Sequence, residues 1–96
     1  MALGDIAGIL DYLADAAGAQ IALRYAVDID NCVARLAEFP GIGAPRPALG
    51  PETRVSLVAP YLIFHDSGPE ADSVIILRVL DGRRKITAEI IAQGRE

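Results

Sequence analysis

Lysine, histidine, cysteine and tryptophan are nearly or wholly missing from this chain of 96 residues: one Lys, one His, one Cys and no Trp. Each shortage closes a class of function. A single cysteine cannot form an internal disulfide. Cys32 falls on an apolar helix face and reads as buried filler rather than a nucleophile, which suits a reducing cytoplasm. A single histidine, with no second His or usable Cys, cannot complete a zinc site; no metal and no cofactor are expected. The formal net charge is −4 and the pI about 4.8. A nucleic-acid binder needs clustered Lys and Arg to neutralise phosphates, so direct nucleic-acid binding is not expected. Apolar runs are far shorter than a membrane span, and Met1–Asp5 carries no basic segment leading into an apolar one, so no secretory signal is visible. With 5% aromatic against 52% hydrophobic residues, the core must be aliphatic, and it is large enough for a packed domain. The length fits one domain over residues 1–96.

Charge is unevenly spread. Residues 1–48 carry six acidic and three basic side chains, and residues 49–96 carry seven and six. Eight of the nine basic residues are Arg, the side chain suited to planar, bidentate pairing with carboxylates and partner surfaces.

Ile6, Ile9, Leu10 and Leu13 recur at helical spacing and predict a helix over Asp5–Ala17, with Asp11 and Asp15 on its wetter side. Gly18 suits the position after a helix end. Ala22, Tyr25, Ala26, Ile29, Cys32, Val33 and Leu36 predict a second helix over Ala19–Phe39, ended by Pro40-Gly41. The short link implies an antiparallel hairpin. Gly41–Glu52, with three Gly and three Pro, reads as a loop. Gly41-x-Gly43 follows a helix and lacks the later glycine of a dinucleotide fingerprint. Thr53–Val58 alternates as a strand should, and Ala59-Pro60 breaks it. Tyr61–His65 is almost continuously apolar, as in a central strand covered on parts of both faces. Ser67–Glu70 is a turn, Ser73–Leu80 the longest strand, and Asp81-Gly82 a turn signal. Lys85–Ala92 is compatible with a short helix or an edge strand. The segregated order gives an α+β class: an N-terminal helical hairpin packed on a three- to four-stranded antiparallel sheet.

Several short motifs follow one another in this frame. They are Asp5-Ile6-Ala7-Gly8-Ile9-Leu10-Asp11-Tyr12, Leu36-Ala37-Glu38-Phe39-Pro40-Gly41-Ile42-Gly43, Arg54 before a strand, Pro60-Tyr61 entering the next, and Ile76-Leu77-Arg78-Val79 leading to Gly82-Arg83. In order and spacing they resemble the ParE branch of the ParE/RelE superfamily of toxin–antitoxin toxins, over almost the whole chain. Two features depart from that pattern. The chain begins at the first helix, where the family first has a strand, so either the start is non-standard or the sheet has one strand fewer and an open edge. His65 stands where the family often has Tyr.

The resemblance implies the toxin of a type II pair, acting in the cytoplasm without catalysis by binding DNA gyrase and blocking replication. It also implies a hetero-oligomer with a cognate antitoxin, which wraps an extended, part-helical segment over hairpin and sheet. Any DNA contact of that complex would be the antitoxin's. One alternative is a RelE-like ribosome-dependent messenger endoribonuclease, which needs cations for the phosphorane and a proton-transfer group. Arg54, Arg78, Arg83, Arg84, Lys85 and His65 could be offered to it, but no Tyr or His follows residue 65. A third possibility is a degenerate, non-toxic antitoxin-binding protein.

Arg54, Tyr61, His65, Arg78, Arg83 and Arg84, with Asp11 and Asp15 on the first helix, are the expected partner-binding residues; no catalytic or metal-binding residue is expected. The arginines are read as a cluster at one end of the sheet, where Arg is favoured in interface hot spots, against the plainer reading of surface ion pairs. Arg78 interrupts an apolar strand and must find a carboxylate or carbonyl if buried. The plainer reading of His65 is a strand-end residue hydrogen-bonded locally; that of Asp11 and Asp15 is a solvated acidic face.

Overall fold

The stripe at Ile6, Ile9 and Leu13 does wind into a helix, α1 (Ala2–Ala17), which begins three residues before Asp5 and so places that carboxylate in its first turn, where the helix dipole favours negative charge. The computed structural model describes residues 1–67 and 73–96. Gly18, at φ 99°, closes α1 by donating its N–H to the Leu13 and Ala14 carbonyls. It is also the residue from which α2 (Ala19–Glu38) departs. One residue in a conformation that favours glycine thus folds the second helix back against the first. Ala22, Ile29 and Leu36 of α2 are buried, whereas α1 has no buried side chain.

Four antiparallel strands follow in spatial order β1-β2-β3-β4: β1 (Ala44–Pro45), β2 (Thr53–Val58), β3 (Tyr61–Ser67) and β4 (Val74–Asp81). β1 lies in the stretch expected to be loop throughout. It consists of two pairings, Ala44 with Val55 and Pro45 with Arg54, and occupies a sheet edge, where proline is tolerated. β3 extends two residues past His65, so His65 is not at a strand end. Most of the turn expected at Ser67–Glu70 lies outside the described residues. The ambiguous C-terminal segment resolves as a helix, α3 (Ala88–Gln93), whose N-cap Thr87 accepts a hydrogen bond from the Ile90 N–H.

The sheet is covered on both sides, which explains the unbroken apolar run of β3. Tyr61, Ile63 and Val79 join Ile29 and Leu36 beneath the hairpin, with Ile6, Ile9 and Leu13 packed against them. Val55, Phe64, Leu77 and Leu80 pack with Ile91 of α3 on the other side. Strict alternation along β4 would put Leu77 and Val79 on one face. A bulge prevents this: Phe64 pairs with Arg78 and His65 with Ile76, so Leu77 is the extra residue. Bulges re-aim side chains. Here the irregularity sends Leu77 to the α3 side and leaves Ile76 and Val79 under the hairpin.

Arg78, beside the bulge, reaches the gap between α1 and α3. Its Nε and Nη2 donate to the two carboxylate oxygens of Asp5 at 2.7 and 2.9 Å. Its Nη1 donates to the Ile90 carbonyl at 3.1 Å and to Gln93 Oε1 at 3.0 Å. Asp5 also accepts the Val79 N–H at 3.1 Å. The buried arginine therefore has both the carboxylate and the carbonyl that its position demands. The hydrogen bond from Arg78 to Asp5 holds the guanidinium pKa above its ordinary value in spite of burial. The side chains are only 9% and 13% exposed, and removing one partner of such a pair leaves the other charged and poorly solvated.

Asp5→Ala should therefore lower the free energy of unfolding by about 3–5 kcal/mol, measured by urea denaturation. The apolar double replacement Asp5→Leu with Arg78→Met should recover much of that loss; a double variant as unstable as Asp5→Ala would mean that the pair itself, rather than an orphaned charge, sets the stability.

Candidate protein-contact sites

The antiparallel register decides where the candidate arginines go. β2 and β4 run the same way, so Arg54, near the start of β2, lies opposite His65, while Arg83 and Arg84 follow the far end of β4, beyond the Tyr61–Asp81 pair. Arg78 sits between them and is consumed by Asp5 and α3. The expected single cluster at one end of the sheet is therefore not formed: the arginines divide among three places.

The Arg83–Arg84 end opens into a groove of about 460 Å³ between α1 and β4, lined among others by Gly8, Tyr12, Tyr61, Asp81, Arg83 and Arg84. Gly4 and Gly8 leave its helical wall low, since nothing lies near where a Cβ would stand on either. Tyr12, the last residue of the Asp5–Tyr12 motif, is exposed. Tyr61 is mostly core: it is buried and meets Tyr25 edge to face at 5.6 Å, and burial pushes its phenol pKa up. Arg83 folds back on Asp81, its Nε 3.0 Å from Oδ1 and its backbone N–H 2.9 Å from the same oxygen. The Arg83 side-chain and backbone hydrogen bonds hold the Asp81 carboxyl at about 2. The Arg84 guanidinium makes no hydrogen bond or ion pair among the described residues. Asp11 and Asp15 are exposed on α1, outside this groove.

At the other end, Arg54 Nη1 donates to the Gly43 carbonyl at 2.9 Å. His65 is completely buried; its Nε2 shares a 3.0 Å hydrogen bond with Ser56 Oγ, and its Nδ1 has no partner among the described residues. Gly43, at φ 99°, closes over this pair: a Cβ there would lie 2.9 Å from the Val55 carbonyl oxygen and 3.1 Å from His65 Nε2. Burial, seconded by the charge of Arg54, pushes the His65 pKa below its ordinary value, while Asp66 opposes this. The ring is a neutral, enclosed cross-strand partner.

A third cluster lies outside the expected residues. Arg95 donates to Asp66 Oδ2 at 2.8 Å and to Thr53 Oγ1 at 2.7 Å, and Thr53 Oγ1 donates to Asp66 Oδ1 at 2.6 Å. Burial would raise the Asp66 pKa, but the hydrogen bonds from Arg95 and Thr53 outweigh it and hold the carboxyl below the usual range. No sequence motif marks this clamp, because Thr53, Asp66 and Arg95 are brought together only by strand register and by the docking of α3. Tyr12 was legible as a motif residue but not as a groove residue. Among the described residues no group of acidic, His or Cys side chains could hold a metal.

Against this geometry, the family model described as the ParE toxin of the type II toxin–antitoxin system parDE matches residues 1–86. Toxin ParE3 of Caulobacter vibrioides is 30% identical over 87 residues, which span 91% of this chain and 85% of that relative.

The buried histidine gives a pH signature. Above pH 6.5 it is neutral in both folded and unfolded states, and its contribution to stability is complete. Below pH 6.5 the unfolded chain takes up a proton that the folded chain refuses, so stability falls with pH until the depressed folded pKa is reached, by up to about 1.4 kcal/mol per pH unit. Urea midpoints between pH 7.5 and 5 should show this decline, and His65→Gln should flatten it; equal slopes would place the titration elsewhere.

Proposed function

The chain belongs to the ParE toxin family of type II toxin–antitoxin systems, and from that premise we propose that it halts bacterial growth by binding DNA gyrase and is neutralised by a cognate antitoxin. The observation that carries the target reading is the α1–β4 groove. It sets an exposed Tyr12 beside exposed Arg83 and Arg84, the residue types that dominate protein-interface energetics. The action is then inhibition by contact rather than catalysis, in the bacterial cytoplasm. No described helix is long and apolar enough to cross a membrane.

The same geometry weakens the ribonuclease alternative. A phosphorane needs several cations converging on one point, and the arginines are divided. His65, the candidate for proton transfer, is enclosed, and Arg78 is committed to Asp5, Ile90 and Gln93.

The acidic α1 face, with Asp11 and Asp15 exposed, supports a neutralising partner that presents basic residues to the hairpin. This antitoxin contact is separate from the groove proposed for the target.

Expression of the chain alone in a bacterium should cause growth arrest with filamentation and stabilised gyrase–DNA cleavage in a supercoiling assay. Arg83→Glu with Arg84→Glu should weaken gyrase binding at least about 10-fold while leaving the fold intact by circular dichroism. Arrest with normal supercoiling and collapsed translation would instead support the ribonuclease, and unimpeded growth a degenerate toxin. Asp11→Lys with Asp15→Lys should weaken antitoxin binding by about 10-fold or more, measured by calorimetry; unchanged affinity would remove the charge-complementarity argument.

A further inference from the structure

The turn that carries Arg83 and Arg84 is built on one side chain. Asp81 Oδ1 accepts the Arg83 backbone N–H at 2.9 Å and the Arg83 Nε–H at 3.0 Å, while Oδ2 accepts from Nη2. The Asp81 carbonyl accepts the Arg84 N–H at 3.1 Å, and the Gly82 N–H donates to the Pro60 carbonyl at 2.8 Å. Gly82 is pressed against the connection between β2 and β3: a Cβ on it would lie 3.1 Å from the Pro60 carbonyl oxygen and 3.4 Å from Leu62 Cγ. A carboxylate that bonds a nearby backbone N–H shapes a turn. One that bonds only a surface guanidinium contributes little. Asp81 does both with the same oxygen, so the turn and the guanidinium are fixed together.

The two partners differ sharply in exposure. The Arg83 side chain is 79% exposed and that of Asp81 only 23%, so the carboxylate lies inward and the guanidinium is displayed. Nε and Nη2 are spent on Asp81, which leaves Nη1 and the flat faces. The Arg83 charge is already answered, as that of Asp5 in the same groove is answered by Arg78. An arginine held in this way is a poor grip for a further carboxylate. It is a good platform for a ring, because the guanidinium is planar and weakly hydrated and the fork keeps its plane still. Tyr12 and Tyr61 line the groove beside it, near enough for their phenols to act on the Arg83 charge. Gly8 leaves space on the helical side.

We propose that Asp81 is a positioning residue for target binding: it holds the Arg83 guanidinium as a flat platform beside Tyr12, on which an aromatic side chain of the target stacks. The inference rests on the gyrase reading given above and adds the means by which the groove grips, a ring on the face of Arg83 rather than a carboxylate on its charge.

Asp81→Asn separates these two modes by the sign of its effect. The amide oxygen can still accept the Arg83 N–H, so the turn is kept, while the charged fork is lost and the groove becomes more positive. A groove that held an acidic surface by charge alone would then bind more tightly. The platform requires the opposite: affinity for purified gyrase, measured by calorimetry, should fall about 10-fold. Arg83→Lys, at a side chain too exposed to disturb the core, keeps the charge and loses the plane. It should cost a similar factor, and it decides the question even if Asp81→Asn folds poorly by circular dichroism. In an Arg83→Ala background, Asp81→Asn should have no further effect on affinity, whereas a purely structural Asp81 would weaken binding in both backgrounds. The free protein supplies a reading that needs no gyrase: NMR relaxation of the Arg83 Nε–H should report an ordered side chain that becomes mobile in Asp81→Asn. Unchanged or tighter binding by Asp81→Asn and Arg83→Lys, or an Arg83 side chain as mobile in the wild type as in the variant, would overturn the platform while leaving the gyrase reading intact. No binding of gyrase by the wild type would overturn the gyrase reading and the inference with it.

Discussion

One ion pair ties the first helix of this fold to its last strand and last helix. Asp5 and Arg78 are 73 residues apart, yet their contact joins the first helix to the last strand, and the same guanidinium holds the C-terminal helix through Ile90 and Gln93. Apolar burial alone would not fix α1, since none of its side chains is fully buried. Directional, charge-assisted hydrogen bonds supply the register that a partly exposed stripe of Ile6, Ile9 and Leu13 leaves loose. The opening motif of the chain thus has a split role: Asp5 is structural, Ile6 and Ile9 pack, and Tyr12 is left at the surface.

Much of the architecture was legible because it rests on local periodicity. The two helices announce themselves by stripe and by Gly18, and β2 and β3 by alternation and by a two-faced apolar run. The rest depends on long-range pairing. β1 exists only because Val55 and Arg54 offer an edge to Ala44 and Pro45. The bulge at Leu77 reverses the facing of β4 without any glycine or proline to mark it. α3 has six residues, too few for a convincing helical period, and its one local mark is the N-cap Thr87. That Arg78 needs partners is legible from its place in an apolar strand. The grouping of the arginines is not, because position along the chain does not reveal which end of an antiparallel strand a residue occupies.

The surface chemistry divides in the same way. Exposed carboxylates stand on α1, Arg24 and Arg35 line a hollow between α2 and β2, and a mixed Tyr–Arg rim borders the α1–β4 groove. The net charge of −4 averages over these regions and conceals them.

The shallow seating of α1 has a consequence for how the molecule breathes. A segment opens locally at a free-energy cost set by the contacts it alone must give up. For α1 these are a few half-buried aliphatic residues and the hydrogen bonds of Asp5, whereas α2 cannot leave without emptying the space around Ile29 and Leu36. The first helix is therefore the natural first step of native-state opening. Each such excursion strips Arg78 of its counter-ion, while the far terminus stays held by buried Ile91 and by Arg95 on Asp66 and Thr53.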